Sequence, residues 1–182
     1  ADTRHVVAAT DDTVFASVAD RDSEAVRLVA LSGADGTTRW TRPLPVAERY
    51  GLAVDDTHCY HTGPLATDGA DDDGADAPLH VVAVNRSDGT VAWERTVGTA
   101  SAFGRGTPTQ HPTVGGDVVF APGGEAFHAF DRHTGERLWQ FAATVPTSGG
   151  SRAPRQPLTP VIPVGDRLVA AMTLALYGLE AS

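Results

Sequence analysis

Four places in this 182-residue chain hold side chains whose types and spacing can do chemistry. His58, Cys59 and His61 are all metal-ligating types within four residues. In an extended segment, alternation puts His58 on one face and Cys59 with His61 on the other, so the three do not converge on one ion. The stretch Asp68-Gly69-Ala70-Asp71-Asp72-Asp73-Gly74-Ala75-Asp76 carries enough carboxylate to attract calcium. Its spacing departs from the EF-hand order and lacks the closing glutamate, so a solvated insertion accounts for it. Gly149 to Arg155 is a polar loop whose two arginines, Arg152 and Arg155, offer only a weak anion site. Trp40, Trp93 and Trp139 are flat apolar faces on which a planar cofactor can stack. The chain has no Gly-x-Ser-x-Gly elbow, Walker loop or dinucleotide fingerprint.

Composition narrows the classes further. One cysteine excludes an internal disulfide framework and any multi-cysteine metal centre. No apolar run approaches the length of a membrane span. The net charge is −9, which argues against nucleic acid or an anionic membrane surface as partner. Every one of the 14 basic residues is arginine, and most of the 23 acids are aspartate. Such a surface resembles proteins of salt-loving archaea, because at molar salt the Debye length falls to roughly 3 Å and carboxylate repulsion is screened. The chain opens without a secretion signal or an initiating methionine and stops in mid-pattern, so an excerpt of a longer protein is expected.

What positions these residues is a repeat. Val29 to Trp40, Val82 to Trp93 and His128 to Trp139 align without gaps, and a fourth copy begins at Tyr177 and stops before its turn glycine. In each, an apolar strand is followed by a short polar residue (Ser32, Asn85, Asp131) suited to bonding the turning backbone. Gly36, Gly89 and Gly135 then supply the positive φ of a tight reversal. A more polar strand returns with one tryptophan anchor, as an outer edge strand should. Two further strand-like runs precede each motif: His5 to Ala9 with Thr13 to Val18, Gln110 to Val114 with Val118 to Ala121, and Thr159 to Val164 with Leu168 to Ala171. Four antiparallel strands recurring at this period, with no helical spacing, predict an all-β propeller built of four-stranded blades.

The pattern apolar-Ala-apolar-(Asp/Asn)-x-x-(Thr/Asp)-Gly-x-x-x-Trp resembles the PQQ-like, or quinoprotein-type, β-propeller repeat. The resemblance implies about four blades, roughly 1–45, 46–98, 99–145 and 146–182, the last incomplete: half of a seven- or eight-bladed ring. It implies that Trp40, Trp93 and Trp139 dock between blades. It also implies how a quinoprotein dehydrogenase would work, by holding its quinone between a tryptophan and a disulfide of adjacent cysteines, with calcium beside it. Cys59 cannot make that disulfide alone, and Asn85 occupies the repeated turn position, so no residue inherits a catalytic, cofactor or metal role. The expected function is a non-catalytic scaffold or protein-binding module at the cell surface or secreted, similar to outer-membrane assembly lipoproteins. The alternatives are a fragment of a PQQ- and calcium-dependent alcohol or sugar dehydrogenase, and the sensor domain of a larger surface or signalling protein. The expected partner is another protein, or a second copy completing the propeller.

Overall fold

The computed structural model describes residues 3–19, 26–46, 51–65, 78–99, 111–146, 152–154, 160–165, 167–172 and 175–180. The acidic stretch Asp68 to Asp76 lies outside them, as do Gly149, Gly150, Arg155 and Asp166. Every regular element among the described residues is a strand. No helix among them is long and apolar enough to cross a membrane.

The first sheet runs in order β1 (Thr3–Ala9), β2 (Thr13–Ala19), β3 (Val26–Ser32), β4 (Thr38–Leu44). The second has β5 (Leu52–Val54), β6 (His58–Pro64), β7 (Pro78–Asn85) and β8 (Val91–Thr99). The third has β9 (Thr113–Gly115), β10 (Val118–Gly123), β11 (Ala126–Asp131) and β12 (Arg137–Ala142). A small hairpin, β13 (Thr144–Pro146) with β14 (Arg152–Pro154), follows, and so part of the segment read as a plain loop is paired strand. The fourth sheet has three strands, β15 (Ile162–Val164), β16 (Arg167–Met172) and β17 (Ala175–Glu180). All neighbours pair antiparallel and in chain order. β9 and β15 begin later than the apolar pattern suggests, at Thr113 and Ile162.

The sheets pack face to face in sequence, with a separate apolar core between each pair. Phe15, Leu28 and Ala30 meet Cys59, Val82 and Val84 between the first and second. Tyr60, Val81, Ala83 and Trp93 meet Val119 and Phe130 between the second and third. Phe127 and Ala129 meet Ala170, Met172 and Tyr177 between the third and fourth. The leading strands β1, β5 and β9 neighbour one another, as the inner strands of successive propeller blades do. The molecule is thus a partial β-propeller of four blades.

The valine-rich strand β7 is buried on both faces because it lies between two other sheets. Its counterpart β3 is buried on one face only: Val26, Leu28 and Ala30 are buried, but Arg27, Val29 and Leu31 on the other face are half-buried. The described residues include no sheet that packs on that face.

Candidate functional site

The returning loops hold the residues on which both the repeat and the blade contacts depend. Each is closed by a backbone bond between the polar residue and the residue five positions on, so it is wider than a two-residue hairpin. Ser32 N–H donates to Thr37 O and Gly36 N–H to Ser32 O, both at 2.8 Å, and the Asn85 and Asp131 loops close identically. Gly36, Gly89 and Gly135 take φ of 72°, 74° and 67°, the left-handed region that favours glycine. The polar residues differ in what they do. Ser32 Oγ accepts from Ala34 N–H, and Asp131 Oδ1 accepts from the N–H groups of His133 and Thr134. Asn85 instead donates to Thr90 Oγ1, and in that loop it is Asp88 that accepts the backbone N–H of Thr90. Backbone N–H donation, from Thr37 to Asp35, Thr90 to Asp88 and Thr134 to Asp131, holds these carboxyls below their ordinary range.

Two of the tryptophans reach across to the next blade with a hydrogen bond. Trp40 Nε1 donates to the carbonyl of Arg86 and Trp93 Nε1 to that of Arg132, each at 2.9 Å. Register shifts at Ala30/Leu31, Ala83/Val84 and Ala129/Phe130 leave Arg39, Ala92 and Leu138 unopposed just before each indole. A bulge at that point turns the strand and re-aims the side chain that follows. Within its own blade each indole packs on an aromatic from the second strand: Trp40 on Phe15, Trp93 on Tyr60, Trp139 on Phe120, with ring centroids 6.0, 5.9 and 5.8 Å apart. These partners are the third residues of β2, β6 and β10, a periodicity visible in the sequence once the strands are aligned.

Arg86 and Arg132 were not singled out by sequence reasoning, yet they tie the loops together. Each follows the polar loop residue, and its backbone N–H donates to the first hairpin turn of its own blade, Arg86 to Thr57 O and Arg132 to Asp117 O. Each guanidinium also reaches back to the preceding blade. Arg86 bonds Thr10 Oγ1 at 3.2 Å and its own blade's Asp55 O at 3.0 Å. Arg132 bonds Asp55 Oδ2 at 3.3 Å and Asp56 Oδ1 at 2.9 Å. Asp55 is the hub. Burial works to raise its carboxyl, but the N–H groups of His58 and Thr57 and the hydroxyl of Tyr60 outweigh it and hold it low. Desolvation works to lower Arg132, and Asp56 and Asp55 reverse the direction. Several aspartates counted by sequence as solvated surface charge are therefore partners of arginine.

His58, Cys59 and His61 share β6 but part company. The His58 ring faces Tyr60 and His133, with centroids 5.8 and 6.3 Å away. Cys59 lies in the core toward the first sheet, where burial pushes its thiol up to about 12, so it is neither thiolate ligand nor nucleophile at neutral pH. His61 is fully buried with neither ring nitrogen hydrogen-bonded, and burial, then His111, lowers it to about 4. Among the described residues no three His, Cys, Asp or Glu side chains converge as a metal site. Trp93 offers no open face on which a planar quinone could stack. Trp93, only 5% exposed, is covered by Tyr60, Phe130 and Gly135, and Cys59 has no second cysteine to pair with.

The sequence model of the family described as outer membrane protein assembly factor BamB matches residues 24–182. The chain belongs to that family. No curated protein matches it by sequence. Among solved structures, BamB from Moraxella catarrhalis is similar at 17% identity and a TM-score of 0.66, over 97% of this chain and 49% of that one. Quinohemoprotein alcohol dehydrogenase from Comamonas testosteroni is similar at 15% identity and a TM-score of 0.61, over 94% of this chain and 29% of that one. The computationally designed Ika8 protein is similar at 12% identity and a TM-score of 0.58, over 98% of this chain and 46% of that one. At such identities these likenesses are of fold. The chain spans about half the length of the BamB structure and under a third of the dehydrogenase.

Proposed function

We propose that this chain is a non-catalytic propeller scaffold that binds protein, acting outside the cytoplasm of a halophile. One observation carries the reading: the aromatic and charged residues of the repeat are engaged in blade-to-blade contacts. The Trp93 indole is spent on Arg132 O and Gly135, and the Arg132 guanidinium on Asp55 and Asp56. A site so occupied offers rigidity to a surface rather than a group to a substrate. The family's description as an outer membrane protein assembly factor supports a protein partner and an extracytoplasmic setting. We take residues 1–45, 46–98, 99–145 and 146–182 as the blade units, Trp40, Trp93 and Trp139 as their structural anchors, and the chain as needing no cofactor.

The test is a dehydrogenase assay with added pyrroloquinoline quinone, calcium and an alcohol or aldose. No dye reduction above the no-protein control is expected. Reduction that requires both quinone and substrate overturns the scaffold reading in favour of a dehydrogenase.

A further inference from the structure

The second returning loop differs from its two counterparts in a way that the turn does not require. Asn85, the chain's single asparagine, stands where the other copies have Ser32 and Asp131, and Ser87 stands where they have Ala34 and His133. All three loops close through the same pair of backbone bonds, so the turn needs neither an amide at the first position nor a hydroxyl at the third. Ser32 and Asp131 accept backbone N–H groups of their own loops, but in the second loop Asp88 does this, from Thr90. Asn85 is thereby released from that task.

Together the two differences create Asn85-Arg86-Ser87, the Asn-x-Ser acceptor sequence for N-linked sugar, whose middle residue must not be proline. An acceptor asparagine has to stand on a surface loop, because the glycan is bulky and hydrophilic. This loop meets the condition. Ser87, Asp88 and Thr90 are exposed, Asn85 is half-buried, and the bond from Asn85 Nδ2 to Thr90 Oγ1, 2.8 Å long, is itself exposed. A side-chain amide carries two N–H groups. Linking a sugar to Nδ2 consumes one and leaves the other for Thr90. The blade contacts meanwhile use the main chain: Arg86 N–H donates to Thr57 O, and the Arg86 carbonyl accepts from the Trp40 indole.

We infer that Asn85 is the attachment site of an N-linked glycan. In the transfer, Nδ2 bonds to C1 of a sugar carried on a lipid-linked glycosyl phosphate. The C1–O bond to the phosphate breaks, its electron pair stays on the phosphate oxygen, and one Nδ2 proton passes to a base of a membrane transferase. The inference rests on the extracytoplasmic part of the proposed function, since this modification belongs to secreted chains.

Intact-mass spectrometry of the full chain, purified separately from the cytoplasm and from the surface and medium of its native cells, tests it. The wild type is expected to exceed its polypeptide mass by whole sugar residues. Asn85→Gln and Ser87→Ala, made in the same cells, should return to the polypeptide mass. Ser87→Thr should keep the sugar, which separates loss of the acceptor sequence from loss of the fold. A wild type of bare polypeptide mass outside the cytoplasm overturns the site and leaves the scaffold reading standing. Sugar that Asn85→Gln retains overturns the site as well. A bare chain confined to the cytoplasm overturns both the site and the extracytoplasmic reading; a glycosylated chain with quinone-dependent turnover overturns the scaffold reading alone.

Discussion

The indole of Trp93 lies on the backbone of Gly135: a Cβ added to that glycine would stand 2.6 Å from the ring's Cδ2. Trp40 sits on Gly89 in the same way, 2.7 Å from its Cε3. The loop glycine thus meets two requirements at once, a left-handed φ and a flat seat for the neighbouring blade.

The two requirements can be separated. Gly36→Ala tests φ alone and should cost about 1–2 kcal/mol, the usual strain of an L-residue in that region. Gly135→Ala adds overlap with the Trp93 ring and should cost about 1–3 kcal/mol more. Urea denaturation of both variants measures the difference. Equal losses would mean that the indole is free to move off its seat.

Trp93→Ala should lose about 3–5 kcal/mol as a truncation in the core between the second and third sheets. Trp93→Phe keeps most of the packing and forfeits the bond to Arg132 O, a loss nearer 1 kcal/mol. An unchanged melting curve for the alanine variant would contradict the docking role.

Asp55→Ala leaves the hydroxyl of Tyr60 and the N–H of His58 without their acceptor and should cost about 1–3 kcal/mol. Asp56→Ala removes a carboxylate that is mostly in water and should be close to neutral. A reversed order in chemical denaturation would remove Asp55 from the centre of the network.

The succession of antiparallel sheets was legible because Trp40, Trp93 and Trp139 recur at one fixed offset from Gly36, Gly89 and Gly135, and repetition converts residue type into position. The arginine ties were not, for two physical reasons. The first copy has Gly33 where the others have Arg86 and Arg132, so the repeat does not advertise the position. Asp55, the carboxylate partner of Arg132, reads as surface charge until folding brings residues 77 apart within reach. The bulges before each indole leave no signal either, since Arg39, Ala92 and Leu138 have nothing in common. The half-buried face of β3 escaped for another cause: Val29 and Leu31 have core composition, and only the stacking order reveals that no described sheet covers them.

Acid should weaken the fold through His61. Its folded pKa of about 4 lies below the ordinary 6.5, so below pH 6.5 the unfolded chain takes up a proton that the folded chain refuses. Stability contributed by the neutral ring is therefore intact above pH 6.5 and lost progressively down to about pH 4, by about 3 kcal/mol in all. His58 and His128, also lowered chiefly by burial, act in the same direction. His61→Leu should flatten the fall in unfolding free energy between pH 6.5 and 4; a slope that matches the wild type would show that another group carries it.

Fluorescence titration with pyrroloquinoline quinone and calcium asks most directly whether the tryptophans are committed to the blades or available to a cofactor. With Trp93 sealed by Tyr60, Phe130 and Gly135, no saturable quenching is expected at any ratio of quinone to protein. Stoichiometric, saturable quenching that disappears in Trp93→Phe would contradict the assignment of the repeat to structure alone.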